Sequence, residues 1–318
     1  MAESKTTVAL LRCPDYTPDL VRRQVAEALA LLDGTQSFVR PGRRILIKPN
    51  LIVPVGPDVP AQTHPEVICA VAEWVKAAGA TPLVGDSPAW SNTAACLAAL
   101  GIDQRLQTLG AEIVQLDRPV RTKIEGSSLG LSRVALEADA IINLPKLKAH
   151  QQLGATIAVK NMYGCVAGKE KAFWHFAKGG SYDAFCRMLI GVYRQLAPVV
   201  TLIDGIVAME GQGPINGTPR PLGFIAAGTD PIACERLCCR LIGVDPATLP
   251  ILQAAAKMNF GCQDDAAIDV VGDAAEPLIC TDFKPAQQTP LRFTFGRICK
   301  SVIKQALLLY PALFGKRH

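Results

Sequence analysis

Between Pro145 and His175 the chain reads PKLKAHQQLGATIAVKNMYGCVAGKEKAFWH, with five lysines, two of the four histidines and one carboxylate, Glu170. Ammonium groups so concentrated among aliphatic residues form either a solvated basic face or a pocket for an anion. Lysine is seldom fully buried unless something anionic receives it. Lys146, Lys148, Lys160 and Lys171 are therefore candidates to hold a carboxylate or phosphate, with Asn161 beside them. His150 and His175 each have a lysine close in sequence, at 148 and 171. Nearby cations lower an imidazole's pKa and favour its neutral form, which can take a proton from a substrate held by the lysines. A loop-capping or packing role is the alternative for both histidines.

The apolar positions of 153–166 follow a helical period, with Thr156, Lys160 and Gly164 on one side, so this segment is predicted to be a helix. Gly154, Gly164 and Gly168 would let backbone N–H groups approach an anion. No GxxxxGK[ST] run precedes Gly-Lys-Glu-Lys, which argues against a nucleotide triphosphatase.

These side chains need a scaffold, and the rest of the chain supplies its pattern. Short β-branched runs alternate with helical segments: TTVALLRC, a helix over about 18–32, RRILIKPN, HPEVICAVAEWVKAAG and TPLVGDSP. That alternation marks βαβ units on a parallel sheet. Further on come a short helix near 93–100, AEIVQL, a hairpin through VRTKIEGSSLGLSRVAL, ADAIINLP and a helix over about 182–196. VVTLIDGIV, LGFIAAGT, the helix PIACERLCCRLIG and an edge strand AIDVVGD complete the pattern. The expected fold is α/β, a mostly parallel open sheet with helices on both faces and an inserted helical lobe. Residues 1–275 would form one domain, with the lobe at about 145–198, and 276–318 a basic, apolar tail.

Several predicted strands run into polar residues: Lys48 and Asn50, Asp86 and Ser87, Asn143 and Lys146, Asp204, and Asp230. Ligands of open parallel sheets sit beyond the carboxyl ends of the strands, so these residues can converge on one cleft. Asp, Asn and Ser also follow strands simply as helix caps, an explanation that does not extend to Lys48 and Lys146. A second candidate segment, Asp204 to Arg220, has glycines at 205, 211, 213 and 217 and predicts a ligand-covering loop anchored by Ile206 and Met209. Glu210 within it is a candidate general acid or base.

With 318 residues, 49% hydrophobic and 19% charged, the chain can bury a sizeable core. A net charge of +5 is too small for a nucleic-acid-binding domain, and no nucleic-acid partner is expected. Eleven scattered cysteines, an odd number, point to a reducing, cytoplasmic setting rather than a disulfide scaffold. No window has the roughly 18 apolar residues of a spanning helix, and no secretory signal pattern opens the chain.

KPNL (48–51), THP (63–65), GDSP (85–88), LPKLKAH (144–150), AVKNMYG (158–164), GKEKAFWH (168–175) and DGIVAMEGQGP (204–214) follow one another in fixed order. Over about residues 6–245 the chain thereby resembles the bacterial and archaeal family known as domain of unknown function 362. Members of that family often carry a ferredoxin-like iron–sulfur module, so the resemblance implies electron transfer as one option, here with a separate iron–sulfur partner protein. The chain departs from that pattern, because no C-x2-C-x2-C run is present. Cys234, Cys238 and Cys239 fall inside a predicted helix, and no cluster is expected in this chain. Asp86, Asp204, Glu210, His150 and His175 contain donors enough for a divalent ion, without a spacing that fixes a site.

The tail LRFTFGRICKSVIKQALLLYPALFGKRH combines Arg292, Arg297, Lys300, Lys304, Lys316 and Arg317 with Phe293, Phe295 and Phe314. It suits either peripheral membrane contact or packing on the domain, and Pro311 disfavours one continuous interfacial helix. Taken together, the expectation is an enzyme that binds a carboxylated or phosphorylated small molecule in a cleft lined by Lys48, Lys146, Lys148 and Lys160, with His150, His175, Lys160 and Glu210 as the catalytic candidates for acid–base chemistry of isomerase, lyase or decarboxylase type. The alternatives are an oxidoreductase and a non-enzymatic anion- or lipid-binding protein.

Overall fold

A computed structural model describes residues 5–32, 34–88, 91–168 and 170–291. The C-terminal tail discussed above therefore lies outside the described residues. Twelve strands are described: β1 (Thr6–Arg12), β2 (Arg44–Pro49), β3 (Thr81–Asp86), β4 (Glu112–Gln115), β5 (Pro119–Ile124), β6 (Ser127–Ser132), β7 (Ala140–Leu144), β8 (Lys146–His150), β9 (Gly154–Thr156), β10 (Val200–Glu210), β11 (Thr218–Gly228) and β12 (Ile268–Gly272).

The main sheet runs β12-β1-β11-β10-β7-β2-β3-β4, with β8 added to β10 and β9 to β8. Its pairs are parallel except those that β11 makes with β1 and β10, and that between β8 and β9. β5 and β6 form the expected hairpin, and β12 lies at the sheet edge.

Alternation along the strands divides the core into two layers. Val8, Leu10 and Leu46 face helices Tyr182–Leu196, Pro231–Leu241 and Pro250–Lys257, whereas Ala9, Leu11, Ile45 and Ile47 face helices Pro18–Ala30 and Pro65–Ala77. Burying both faces explains why these strands read as near-continuous apolar runs. Helix Pro65–Ala77 starts where His64 accepts the Glu66 amide, with Pro65 in its first turn, and ends before Gly79 at φ +78°. Cys234, Cys238 and Cys239 are fully buried in helix Pro231–Leu241.

Two expectations need correction. The continuous helix predicted over 153–166 is instead strand β9, a one-turn helix Ala158–Asn161 and a 3-10 turn Met162–Cys165. Gly154 takes φ +78°, β9 pairs with β8 so that Thr156 faces Lys148, and Ile157 at φ −136°, ψ −135° lies outside the helical region, which interrupts the helical period. The ligand-covering loop predicted from Asp204 to Arg220 is mostly strand, because β10 continues to Glu210 and β11 begins at Thr218. A bulge between Gly205 and Val207 absorbs the glycine, at which a Cβ would strike the Phe224 ring. Segment 145–198 is woven into the same body: β8 pairs with β10, and Leu147, Met162 and Phe185 share a core cluster with Leu10 and Leu46.

Candidate functional site

The carboxyl ends of β2, β3 and β7 deliver Lys48, Asp86 and Leu144 to one end of the sheet, and β8 runs on from there alongside β10. Lys48 Nζ lies 2.9 Å from Asp86 Oδ2, and the two side chains are 0% and 3% exposed. The same oxygen accepts the Leu51 amide, while Oδ1 accepts the Ser87 amide. Lys48 Nζ also donates to Pro49 O at 2.6 Å.

Asn161 ties this pair to the next lysine. Its Nδ2 donates to Lys48 O and Asn143 Oδ1, and its Oδ1 accepts from Asn50 Nδ2 at 2.9 Å. Asn50 Oδ1 in turn accepts from Lys148 Nζ at 2.6 Å, and Lys148 also donates to Ala61 O. Every polar atom of the Asn161 amide is thus committed, which fixes both asparagines and lysines as one rigid unit. Gly164 closes against it, with space so tight that a Cβ would lie 2.7 Å from Lys48 Nζ.

Lys171, on helix Glu170–Ala177, donates to Ser87 O at 2.6 Å and to Val166 O at 3.0 Å. Lys160, half-buried on the turn Ala158–Asn161, has its ammonium 5.5 Å from the centre of the Tyr163 ring. Among the described residues it has neither a carboxylate nor a hydrogen-bond acceptor. Four ammonium groups, those of Lys48, Lys148, Lys160 and Lys171, therefore gather around the single carboxylate of Asp86.

The electrostatics follow from that imbalance. Burial, then the neighbouring lysines, lowers Lys148 to about 7. Burial and Lys171 lower Lys160 to about 8, and burial lowers Lys171 to about 8 as well. His150 is pushed well below its ordinary value by burial, then by Lys160 and Lys148, and His175 down to about 3 by burial and Lys160. His150 Nδ1 accepts the Gln152 and Leu153 amides, so the neutral ring carries its proton on Nε2. His175 packs against Tyr163 and Phe185, with ring centres 5.8 and 4.6 Å away.

A second cluster adjoins the first. Lys146 Nζ is 2.9 Å from Asp204 Oδ2, both side chains essentially inaccessible, and 2.6 Å from Tyr16 Oη. Tyr16 donates to Asp204 Oδ1, and His64 stacks on the Tyr16 ring at 3.4 Å. Tyr16, His64 and Lys146 border a cleft of about 240 Å³ with Gln62 and Pro60. Burial lowers His64 to about 4 and raises the Tyr16 phenol well above its usual value.

The structure thus brings Lys48, Asn50, Asp86, Ser87, Lys148, Asn161, Lys171, Lys160, His150 and His175 together, and places Lys146 and Asp204 in the adjoining cluster. Glu210 lies at the end of β10 with its carboxylate on the Lys284 amide. Asp86 and Asp204 each pair with a lysine, and no group of three or more His, Cys, Asp or Glu suited to a metal occurs among the described residues. Sequence reasoning missed Tyr16 and His64. Their signal was position, since Tyr16 follows β1 and His64 caps the helix that crosses from β2 to β3.

The family described as domain of unknown function DUF362 matches residues 45–240, somewhat less than the motif order suggested. A thylakoid-associated protein of Synechocystis sp. is 36% identical over 304 residues, covering 94% of each chain. Among solved structures, the lactate racemase apoprotein from Thermoanaerobacterium thermosaccharolyticum is similar over 74% of this chain, at 15% identity and a TM-score of 0.46. The chain spans 58% of that protein's length. Among the described residues no helix is long and apolar enough to cross a membrane. With the motifs in order, the family match over 45–240 and the relative aligned over nearly the full length, the chain belongs to the DUF362 family.

Proposed function

We propose that the chain is an enzyme that binds a small carboxylated or phosphorylated molecule against Lys48, Lys148, Lys160 and Lys171 and carries out acid–base chemistry of isomerase, lyase or decarboxylase type. The observation that carries this reading is the uncompensated charge: four buried or half-buried ammonium groups share one carboxylate. Assembling them costs desolvation and mutual repulsion, which an anionic ligand offsets. The neutral His150 presents Nε2–H to a developing oxyanion, while Lys160, lowered to about 8, exchanges a proton near neutral pH.

Titration calorimetry with oxalate, inorganic phosphate and short carboxylates tests the reading. Lys160→Ala and His150→Ala should keep the wild-type circular dichroism. Lys160→Ala should weaken anion binding by about tenfold or more, the loss of one charge-assisted contact. His150→Ala should lower turnover once a substrate is found. Full anion affinity in both variants, with unchanged turnover, would remove Lys160 and His150 from the site and with them this reading.

A second reading, peripheral membrane contact through residues 292–318, is supported by the basic, apolar sequence of that tail and by the relative's description as thylakoid-associated. Co-sedimentation with anionic liposomes should then be lost on deleting 292–318. Equal sedimentation of both chains would remove this reading.

A further inference from the structure

The five lysines of the two clusters are not equivalent. Lys48 is bound to Asp86 and Pro49 O, Lys146 to Asp204 and Tyr16, Lys148 to Asn50 and Ala61 O, and Lys171 to Ser87 O and Val166 O. Among the described residues Lys160 alone of the five has no acceptor for its ammonium. Its backbone, by contrast, is braced on both sides. The Val159 amide donates to the buried carboxylate of Glu235, Ala158 O accepts from Asn143 Nδ2, and the Asn161 amide is fully bonded. A rigid one-turn helix therefore carries one free amine toward a group of cations.

We propose that Lys160 is a covalent catalyst, whose amine condenses with the carbonyl carbon of a 2-oxo acid or similar carbonyl-bearing anion held by the neighbouring lysines. This rests on the anion-pocket reading given above and adds a substrate class to it. The neutral Nζ attacks the carbonyl carbon, the C=O π pair moves onto the oxygen, and a proton passes from nitrogen to that oxygen to give a carbinolamine. Both amine protons leave with that oxygen as water, and the resulting imine takes up one proton to become the iminium. No oxidant or reductant is needed, and the iminium then withdraws electrons from the adjacent carbon. Surrounding cations favour the reactive neutral amine, since burial and Lys171 lower Lys160 to about 8.

The test is reductive trapping. Full-length protein is incubated with glyoxylate or pyruvate and cyanoborohydride, digested, and mapped by mass spectrometry, while oxalate and phosphate binding is measured separately by calorimetry. The expected result is one reduced adduct on the Lys160 peptide, suppressed by excess oxalate. It should be absent from Lys160→Arg, which keeps the charge and should bind oxalate within about tenfold of wild type. Oxalate or phosphate binding without a Lys160 adduct, or an adduct spread over exposed lysines, would overturn the covalent role and leave the anion pocket standing. Absence of both the adduct and any anion binding would remove the pocket as well. Because trapping is read on the wild-type protein, the proposal stands or falls even if a variant misfolds.

Discussion

If Lys148, Lys160 and Lys171 hold an anion, binding must take up protons, and its affinity must fall as pH rises. In the free protein burial and mutual repulsion lower these ammonium groups to about 7, 8 and 8. A bound anion favours their charged forms and raises all three values, so the complex carries protons that the free protein has partly lost. At about pH 6 nearly all three sites are already protonated, and uptake should be close to zero. At about pH 8 the free protein keeps roughly one of the three protons, so binding should take up about two per anion. Affinity for an anion that does not itself titrate, such as oxalate, should fall about twentyfold between about pH 7 and 8, close to 2 kcal/mol. Calorimetry in two buffers of different ionisation enthalpy reads the uptake directly, and Lys160→Arg should show less of it. Proton release, or an affinity that stays flat from about pH 6 to 9, would refute the assignment of these lysines to the anion.

Three further outcomes follow from the buried pairs. Asp204→Asn leaves Lys146 without its carboxylate and should cost about 3–5 kcal/mol in urea unfolding; much of it should return in Asp204→Asn with Lys146→Met. Gly164→Ala puts a Cβ 2.6 Å from Lys48 Cε and should cost about 2 kcal/mol by overpacking while weakening anion binding; unchanged stability and affinity would count against the close contact. Glu235, raised by burial to about 7, gives stability that is full at low pH and is lost as pH rises through about 7. Glu235→Gln keeps an acceptor for the Val159 amide, so the wild type should lose roughly 2–3 kcal/mol relative to it between about pH 4.5 and 7.5. Parallel stability–pH curves for the two proteins would contradict this.

Local pattern alone carried much of the architecture. The alternation of β-branched runs with amphipathic segments fixed the parallel α/β sheet, because a strand buried on both faces and a helix buried on one leave different periods in sequence. His64-Pro65 and Gly79 marked the ends of one helix through capping and positive φ, both local effects. The polar residues at strand ends were also legible one by one, since a parallel sheet must bring such ends together.

What sequence could not supply was partnership. Lys48 finds Asp86 on the neighbouring strand, and Lys146 finds Asp204 through the pairing of β8 with β10, which exists only in the folded sheet. Pairing of β9 with β8 turned Gly154–Thr156 into a strand despite its helical spacing, because hydrogen bonds to β8 outweigh a weak local propensity. Composition set the number of lysines in the central segment. Only the tertiary structure decided that four of the five in the two clusters are hydrogen-bonded and that Lys160, among the described residues, has no acceptor for its ammonium, because charge compensation between distant residues is a property of distance in space.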